Sequence, residues 1–416
     1  MGVLGVVGVA LAVVGAGVAV AAAEAEGAAG LEWVEAVARS VAAHRSLYPE
    51  LPQPVVARRA VRIGTGGEGE AGEGSASGLT VTVDEVMAAL AANCSTSRNA
   101  SLAGGPLVYG DDVALVKRVI DKESGEPWSA MAPVEAFVAD PSVVPPAGAL
   151  RAAVDAGFSL VFNRIHKLAA RYGPVCELGV SGAGGGRPRV ALAETAARIA
   201  ATLRDGSYDG GAYEGANLYW SPAGSPGFET HFDVMDVLVV HIAGAKTWRV
   251  YQPQVALPLP GDKARPAFES LEVIGSFTLA PGDVLFLPRG FPHDAEATAD
   301  GPSVHITFGF DVYNHTWAAL AAPCVAPAAA SILAASPLLR TTPTELLPPS
   351  CVDGGLRDVQ CRASAVAVAA DAIAELAASA GLAEDAASIA ACLAPRVVAA
   401  HPLIDRESEN TSRDEL

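Results

Sequence analysis

The sequence predicts a mixed α+β chain in which a β-rich middle lies between helical segments. Three observations carry this expectation. From about residue 217 the chain breaks into short runs of strand length: Asn217–Trp220, Thr230–Asp233, Val237–Ile242, Lys246–Tyr251, Leu271–Thr278, Val284–Leu287 and Val304–Phe310. Short strands at close spacing, with turn signals such as Pro281-Gly282-Asp283 between them, fold as an antiparallel barrel or sandwich. After about residue 317 the texture becomes Ala-rich and helical, and with 51% hydrophobic residues the chain is too apolar to stay unfolded.

Taken from the N-terminus, Val3–Ala23 is uncharged and followed by small residues, and Ala21-Ala22-Ala23 fits a signal-peptidase site. Residues 1–23 therefore read as a signal peptide, with an uncleaved anchor as the open alternative. Residues 24–79 read as an N-terminal helical segment and a Gly/Glu linker. Leu31, Val34, Val37 and Val41 repeat at helical spacing within Leu31–His44, and residues 64–78 are GTGGEGEAGEGSASG. That glycine-rich stretch has glutamates and no lysine, so it would repel a phosphate rather than cradle one.

Residues 80–316 read as one domain with its core at 205–312. Val81–Ala92 reads as a strand running into a helix, Leu150–Ala156 as a helix, Phe158–Phe162 as a strand and Arg164 as the start of another helix. Ser181–Arg187 is a loop before a helix at Leu192–Leu203. Residues 317–412 read as a helical region, with Ala363–Ala380 and Glu384–Ala394 as its best helices and Pro395 as the stop of the second. The uncharged run from Thr316 to Leu339 carries Pro323, Pro327 and Pro337, which makes it a poor spanning helix. No stable membrane span is expected once the leader is removed. Residues 413–416, Arg413-Asp414-Glu415-Leu416, resemble the retrieval signal of the endoplasmic reticulum, so the expected location is its lumen.

With 28 basic against 46 acidic residues the net charge is −18, and no basic cluster exists to neutralise phosphates, which argues against nucleic acid as a partner. In an oxidising lumen the cysteines Cys94, Cys176, Cys324, Cys351, Cys361 and Cys392 can pair, with connectivity open and a structural disulfide expected around Cys351 and Cys361. Four sequons, at Asn93, Asn99, Asn314 and Asn410, are available for glycosylation in that compartment.

The chemistry-bearing residues sit in the β-rich middle. In His231-Phe232-Asp233 the alternation of a strand puts His231 and Asp233 on one face. His293, after the strand Val284–Leu287, is the candidate third ligand. Two histidines and a carboxylate make the facial triad that leaves metal positions open. By itself the His-x-Asp pair reads more readily as polar residues on a strand edge. In Lys246–Tyr251 the alternation sets Lys246, Trp248 and Val250 on one face. A lysine heading an apolar stripe needs an anion unless it reaches out to solvent. His305 faces the barrel interior if Val304–Phe310 alternates, as a substrate contact or as a hydrogen-bonded core histidine.

The run of motifs is similar to one family. Asn217-Leu218-Tyr219-Trp220-Ser221-Pro222, Gly227-Phe228, His231-Phe232-Asp233, Gly244-Ala245-Lys246-Thr247-Trp248-Arg249-Val250-Tyr251, Gly282-Asp283 through Pro288-Arg289-Gly290 with His293, and His305-Ile306-Thr307 resemble the JmjC-domain Fe(II)/2-oxoglutarate oxygenases. Within these, the chain looks most like the ribosomal-oxygenase branch of histidyl and arginyl hydroxylases. The resemblance is specific over about 205–312 and implies a double-stranded β-helix of jelly-roll or cupin type. It implies that His231, Asp233 and His293 bind Fe(II), that Lys246 pairs with the distal carboxylate of the co-substrate 2-oxoglutarate, and that Asn217, Tyr219 and Thr307 belong to the co-substrate pocket. The chain departs from the pattern at His241, where the family usually has Gln, and near Gly309, where a hydroxyl residue is usual and Thr307 is the available substitute. The resemblance further implies helices in the C-terminal region that can pair two copies into a homodimer.

The expected function is therefore a 2-oxoglutarate-dependent dioxygenase, a protein hydroxylase acting on a polypeptide of the secretory pathway. The acidic balance favours a basic polypeptide. Two alternatives stay open: an oxygenase of small molecules or lipids, and a cupin-like binding module without turnover, against which the complete triad and Lys246 argue.

Overall fold

The computed structural model describes residues 10–14, 18–22, 54–58, 113–120, 127–131, 152–165, 179–180, 190–191, 213–262, 271–343, 351, 356 and 358–400. In chain order its strands are β1 (Ala10–Val14), β2 (Val18–Ala22), β3 (Val55–Arg58), β4 (Val113–Ile120), β5 (Pro127–Met131), β6 (Ser159–Phe162), β7 (Gly179–Val180), β8 (Val190–Ala191), β9 (Tyr213–Ser221), β10 (Asp236–Ala243), β11 (Lys246–Tyr251), β12 (Val273–Leu279), β13 (Val284–Leu287), β14 (His293–Ala297) and β15 (Ser303–Phe310). A large sheet runs in the order β1-β2-β3-β13-β10-β15-β9-β6-β4-β5, and a small one in the order β12-β11-β14. Among the described ladders only β2 with β3 is parallel. The antiparallel architecture read from the strand spacing is the one observed.

The two sheets close on a shared apolar layer. Val237, Val239, Leu285 and Leu287 come from the large sheet, Trp248, Val250, Leu279 and Ala295 from the small one, and Val56 and Phe291 complete the cluster. Strand β11 alternates between buried and half-buried residues, as expected for one inward face. Strand β10 is buried along almost its whole length, because it is central and covered on both faces; that explains its continuous apolar run. The β10–β11 turn needs Gly244 at φ +66°, where a Cβ would lie 2.0 Å from the Pro302 carbonyl oxygen. This tight turn places Lys246 at the head of β11.

Several sequence readings shift. Thr230–Asp233 is not a regular strand. Its backbone pairs with β14 through an isolated bridge between His231 and His293, with another between Pro226 and Glu296 upstream. The chain here must turn from the small sheet into β10 of the large one, so the ladder cannot continue. Strand β14 had no sequence signal, because His293-Asp294-Ala295-Glu296-Ala297 lacks β-branched residues and owes its conformation to pairing with β11. Strand β9 begins at Tyr213 rather than Asn217, and β12 at Val273 rather than Leu271. Residues 152–155 are helical, and β6 follows as predicted.

The readings at Leu31–His44, 64–78, Val81–Ala92, Ser181–Arg187 and Leu192–Leu203 lie outside the described residues, as do the helix beyond 165 and residues 401–416. Within the span read as N-terminal helix and linker, residues 55–58 form β3 instead, paired with β13. The apolar stretch read as a leader contributes β1 and β2 at the outer edge of the large sheet.

The C-terminal part is helical: α1 (Trp317–Ala321), α2 (Pro327–Leu333), α3 (Val359–Ser379) and α4 (Ala386–Ala400). Asp358 caps α3 by accepting from the backbone N–H groups of Gln360 and Cys361. Ala365, Ala369, Ile373 and Ala377 form its buried stripe at intervals of four, facing Ile389, Leu393 and Val397 of α4. Pro395 does not stop α4, contrary to the sequence reading. A proline inside a helix costs about 3 kcal/mol. Pro395 lies on the exposed side, however, while Leu393 and Val397 bury the opposite one, and two such buried side chains contribute roughly that much or more. Disulfides join Cys324 to Cys392 and Cys351 to Cys361. No described helix is long and apolar enough to cross a membrane.

The Cys324–Cys392 bridge closes a separation of 68 residues and pins α4 next to the α1–α2 connection. Replacing both cysteines by alanine should lower the unfolding free energy of the helical region by about 2–4 kcal/mol. Urea unfolding followed by far-UV circular dichroism measures this; an unchanged midpoint would show that packing alone holds α4.

Candidate metal centre

The site is assembled where the small sheet meets the turn into the large one. His231 and His293 exchange backbone hydrogen bonds, His231 N–H to the His293 carbonyl at 3.2 Å and His293 N–H to the His231 carbonyl at 2.8 Å. Asp233 is held by its carbonyl, which accepts from the Gly290 N–H at 2.9 Å. One ligand-capable atom each from His231, Asp233 and His293 lies within 4.8 Å of the others. The predicted triad is therefore brought together.

Both imidazoles are oriented by their own backbone. His231 Nδ1 lies 2.7 Å from the Glu229 carbonyl oxygen, and His293 Nδ1 lies 3.0 Å from that of Phe291. Since a carbonyl can only accept, each Nδ1 carries the proton and each Nε2 offers its lone pair to the centre. Burial, reinforced by the nearby His231, pulls the His293 pKa down to about 4, so the ring is neutral, as a metal ligand must be. Two neutral imidazole nitrogens and a carboxylate oxygen suit a divalent transition metal such as Fe(II). Among the described residues this is the one His/Cys/Asp/Glu group with metal-binding spacing.

A cavity of about 180 Å³ opens from the triad. Lys246, Tyr219, Trp248, His305 and Thr307 are among its other lining residues. Lys246 is 4% exposed, donates to Ser221 Oγ at 3.0 Å, and has its pKa lowered to about 8 by desolvation. Gly227 clears the way to it, since a Cβ there would sit 2.5 Å from the Ala295 carbonyl oxygen and 3.8 Å from Lys246 Nζ. Burial likewise pushes the Tyr219 hydroxyl up to about 12, keeping it a neutral hydrogen-bonding group. Asn217 does not line the cavity. It braces the site instead: its side chain hydrogen-bonds Tyr219, and its Oδ1 accepts from the Arg164 N–H at 2.9 Å. Asn217 and Tyr219 share one face of β9, and of the two Tyr219 alone lines the cavity.

Sequence reading missed the group that locks the ligand segments together. The buried Asp294 carboxylate accepts from Thr230 Oγ1 at 3.0 Å, the Tyr251 hydroxyl at 2.6 Å and Arg249 Nε at 2.8 Å. Thr230 precedes His231 and Asp294 follows His293, so one carboxylate joins both histidine segments to β11. The signal was present in the alternation, which turns Arg249 and Tyr251 away from Lys246. Their common acceptor was not legible, because β14 was not.

Residues 193–318 match the family model described as JmjC domain. This segment is similar to a JmjC domain. Over 106 residues the chain is 39% identical to the bifunctional lysine-specific demethylase and histidyl-hydroxylase NO66 of Dictyostelium discoideum, covering 25% of this chain and 20% of that protein. It is 38% identical over 100 residues to ribosomal oxygenase 1 of Danio rerio, covering 23% of this chain and 18% of that protein. The matched stretch thus spans about a fifth of each of these relatives. A solved structure of the Escherichia coli ribosomal oxygenase YcfD with cobalt and 2-oxoglutarate is also similar, at 17% identity and a TM-score of 0.30, covering 62% of this chain and 48% of that one. The matched segment contains the triad, the cavity-lining residues and the Asp294 cluster. It ends as α1 begins.

Thr230→Val removes one hydroxyl and preserves shape. It should weaken Co(II) or Mn(II) binding about tenfold while leaving the circular dichroism spectrum unchanged, since supports of ligand geometry carry effects of this size. A metal titration followed by electron paramagnetic resonance reads the affinity; equal affinity in both proteins would remove Asp294 from the positioning of the centre.

Proposed function

We propose that this protein is an Fe(II)- and 2-oxoglutarate-dependent dioxygenase that hydroxylates a side chain of a polypeptide in the secretory pathway. The observation that carries the reading is one cavity lined by both the His231/Asp233/His293 triad and a buried ammonium, Lys246. The ammonium hydrogen-bonds only Ser221 among the described residues. An unpaired buried charge costs several kcal/mol, so an anion is the partner that makes this burial tolerable. A 2-oxo dicarboxylate would fit this lining, with its oxo acid group held at the triad and its far carboxylate at Lys246.

Iron and the 2-oxo acid together supply oxidative decarboxylation, in which O2 yields succinate and CO2 and its second oxygen atom enters a C–H bond of the substrate. The chain supplies the geometry. His231 and His293 present their Nε2 atoms because their Nδ1–H groups are held by carbonyls. Asp233 completes the ligand set and, with its side chain 37% exposed, faces the open side where a substrate enters. Lys246 orients the co-substrate, and Trp248, Tyr219 and Thr307 keep the pocket walls dry.

Because the curated relatives are matched over only a fifth of their length, their named substrates support a polypeptide target by analogy alone. The net charge of −18 favours a basic one. The proposed compartment is the lumen of the endoplasmic reticulum, where the Cys324–Cys392 and Cys351–Cys361 disulfides are chemically at home. Pairing of two copies through the helical region is part of the same proposal, tested by solution scattering.

Purified protein with Fe(II), ascorbate and O2 should convert 2-oxoglutarate to succinate, and luminal peptides trapped on it should gain one oxygen atom by mass spectrometry. His231→Ala should abolish succinate formation; undiminished turnover in that variant would sink the assignment. Lys246→Ala should raise the 2-oxoglutarate requirement far more than the iron requirement.

The lysine also sets a pH dependence. Only its protonated form attracts a carboxylate, and its pKa in the free protein is lowered to about 8. Affinity for 2-oxoglutarate should therefore hold below that value and fall by up to about tenfold per pH unit above it. Calorimetric titration between pH 7 and 9.5 checks the sign; affinity rising with pH would contradict the lysine's role.

A further inference from the structure

The loop between β13 and β14 holds two of the three triad residues, and a buried cation holds the loop. Two consecutive N–H groups fasten the bend after His231. Arg289 N–H donates to Asp236 Oδ1 at 2.7 Å, and Gly290 N–H donates to the Asp233 carbonyl at 2.9 Å. The next carbonyl, that of Phe291, lies 3.0 Å from His293 Nδ1 and orients that ring. A shift of this loop therefore displaces Asp233 and turns His293 together.

The Arg289 side chain is 2% exposed. Its guanidinium meets two carbonyls, of Pro258 and of Arg340, and among the described residues no carboxylate pairs with it. Burying a charge without a counter-ion is costly, so both carbonyls matter to it. They come from separate parts of the chain: Pro258 from the β11–β12 connection, Arg340 from the turn Leu338–Arg340 of the helical region. Gly290 is pressed on the same connection, since at its φ of +88° a Cβ would sit 2.5 Å from Pro258 Cδ. Arg340 is fixed in turn. Its Nε donates to the Ala334 carbonyl at 2.7 Å and its Nη1 to Asp262 Oδ2 at 2.6 Å, an oxygen that also accepts the Leu259 N–H at 3.0 Å. Pro258, Asp262 and Arg340 thus form one socket for the Arg289 cation.

We propose that Arg289 is a positioning residue for the metal centre, and that through it the docking of the helical region at Arg340 sets how tightly the triad holds metal. This rests on the reading of the triad as a metal centre and adds what controls it. With the socket closed, the guanidinium holds the loop where Asp233 and His293 are already in place. With it open, the buried charge loses an acceptor, the loop shifts toward another, and metal has to order its ligands as it binds. Such coupling is reciprocal: if docked helices tighten the metal, bound metal tightens the helices.

The test uses the full chain with Mn(II) alone. Arg289→Met keeps the stem and removes the guanidinium. It should weaken Mn(II) binding about ten- to hundredfold, the range seen when a support of metal ligands is lost. Arg289→Lys keeps the charge and should recover part of that loss. Asp262→Asn touches neither the loop nor the triad and loosens Arg340; it should weaken Mn(II) by about fivefold or more, the low end of coupling between sites. Arg362→Met is the control, because Arg362 also donates to a carbonyl in the helical region, that of Leu356 at 2.6 Å, but lies off this route. Its Mn(II) affinity should remain that of wild type. Electron paramagnetic resonance reads these affinities. Hydrogen exchange reads the reverse direction: saturating Mn(II) should slow exchange across residues 317–343 in the wild type, and less so in Asp262→Asn.

Urea midpoints separate stability from positioning. Midpoints that fall while Mn(II) affinity and exchange keep their wild-type values would make Arg289 merely structural and overturn its role. An Arg362→Met loss as large as that of Arg289→Met would do the same. Should Arg289→Met fail to fold, Asp262→Asn decides, and unchanged affinity and exchange there overturn the coupling. A wild-type chain that binds no Mn(II) overturns the metal-centre reading and the role of Arg289 with it. Wild-type binding that none of these variants moves overturns the role of Arg289 alone.

Discussion

The centre depends on one short piece of antiparallel pairing. His231 and His293 are 62 residues apart in sequence, and each accepts the other's backbone N–H. That two-bond bridge fixes their separation before any metal is considered. It also explains why the ladder is so short on the His231 side. The chain has to leave the small sheet there and enter β10, and Asp233 comes at the bend with its carbonyl tied to Gly290. A longer regular strand would carry Asp233 along the sheet instead of around the centre.

Around this bridge, two buried charged groups stand in opposite situations. Asp294 has three side chains donating to it and a guanidinium beside it, so its cost of burial is met within the protein. Lys246 is equally buried and has one hydroxyl. The two lie on opposite faces of the same small sheet, since β11 sends Lys246 inward and Arg249 and Tyr251 outward to Asp294. A satisfied network rigidifies, and an unsatisfied one awaits a ligand. The division into an outer positioning face and an inner binding face follows from the period-two geometry of a strand.

The helical region is attached to this unit through a second cation. Arg289, 2% exposed and just after β13, donates to the carbonyls of Pro258 and Arg340, while Arg340 pairs with Asp262 at 2.6 Å. The Arg289 backbone N–H is taken by Asp236 at the start of β10. The same segment, Pro288-Arg289-Gly290, thus touches the sheet, the helical region and the Asp233 loop. Disturbance of the helices can reach the triad through the hydrogen bonds of Arg289.

The sequence by itself determined the local periodicities and the donor chemistry. The alternation of Lys246–Tyr251 assigned faces that the structure keeps. The spacing of His231 and Asp233 marked two candidate ligands that the family resemblance supported, and the apolar runs named most of the strands around them. It also placed Asn217 next to Tyr219, but could not say that Asn217 works from outside the cavity. Only the tertiary structure decided that His293 lies on a strand, that Asp294 gathers Thr230, Arg249 and Tyr251, that Pro395 stays inside a helix, and that His305 lines the cavity. The reason is physical. Periodicity is a property of neighbours along the chain, whereas a strand such as β14, with no β-forming residues of its own, exists because β11 offers it hydrogen bonds across 43 or more residues of sequence. A buried carboxylate or imidazole acquires its role in the same way, from whichever groups the fold brings to it or leaves out.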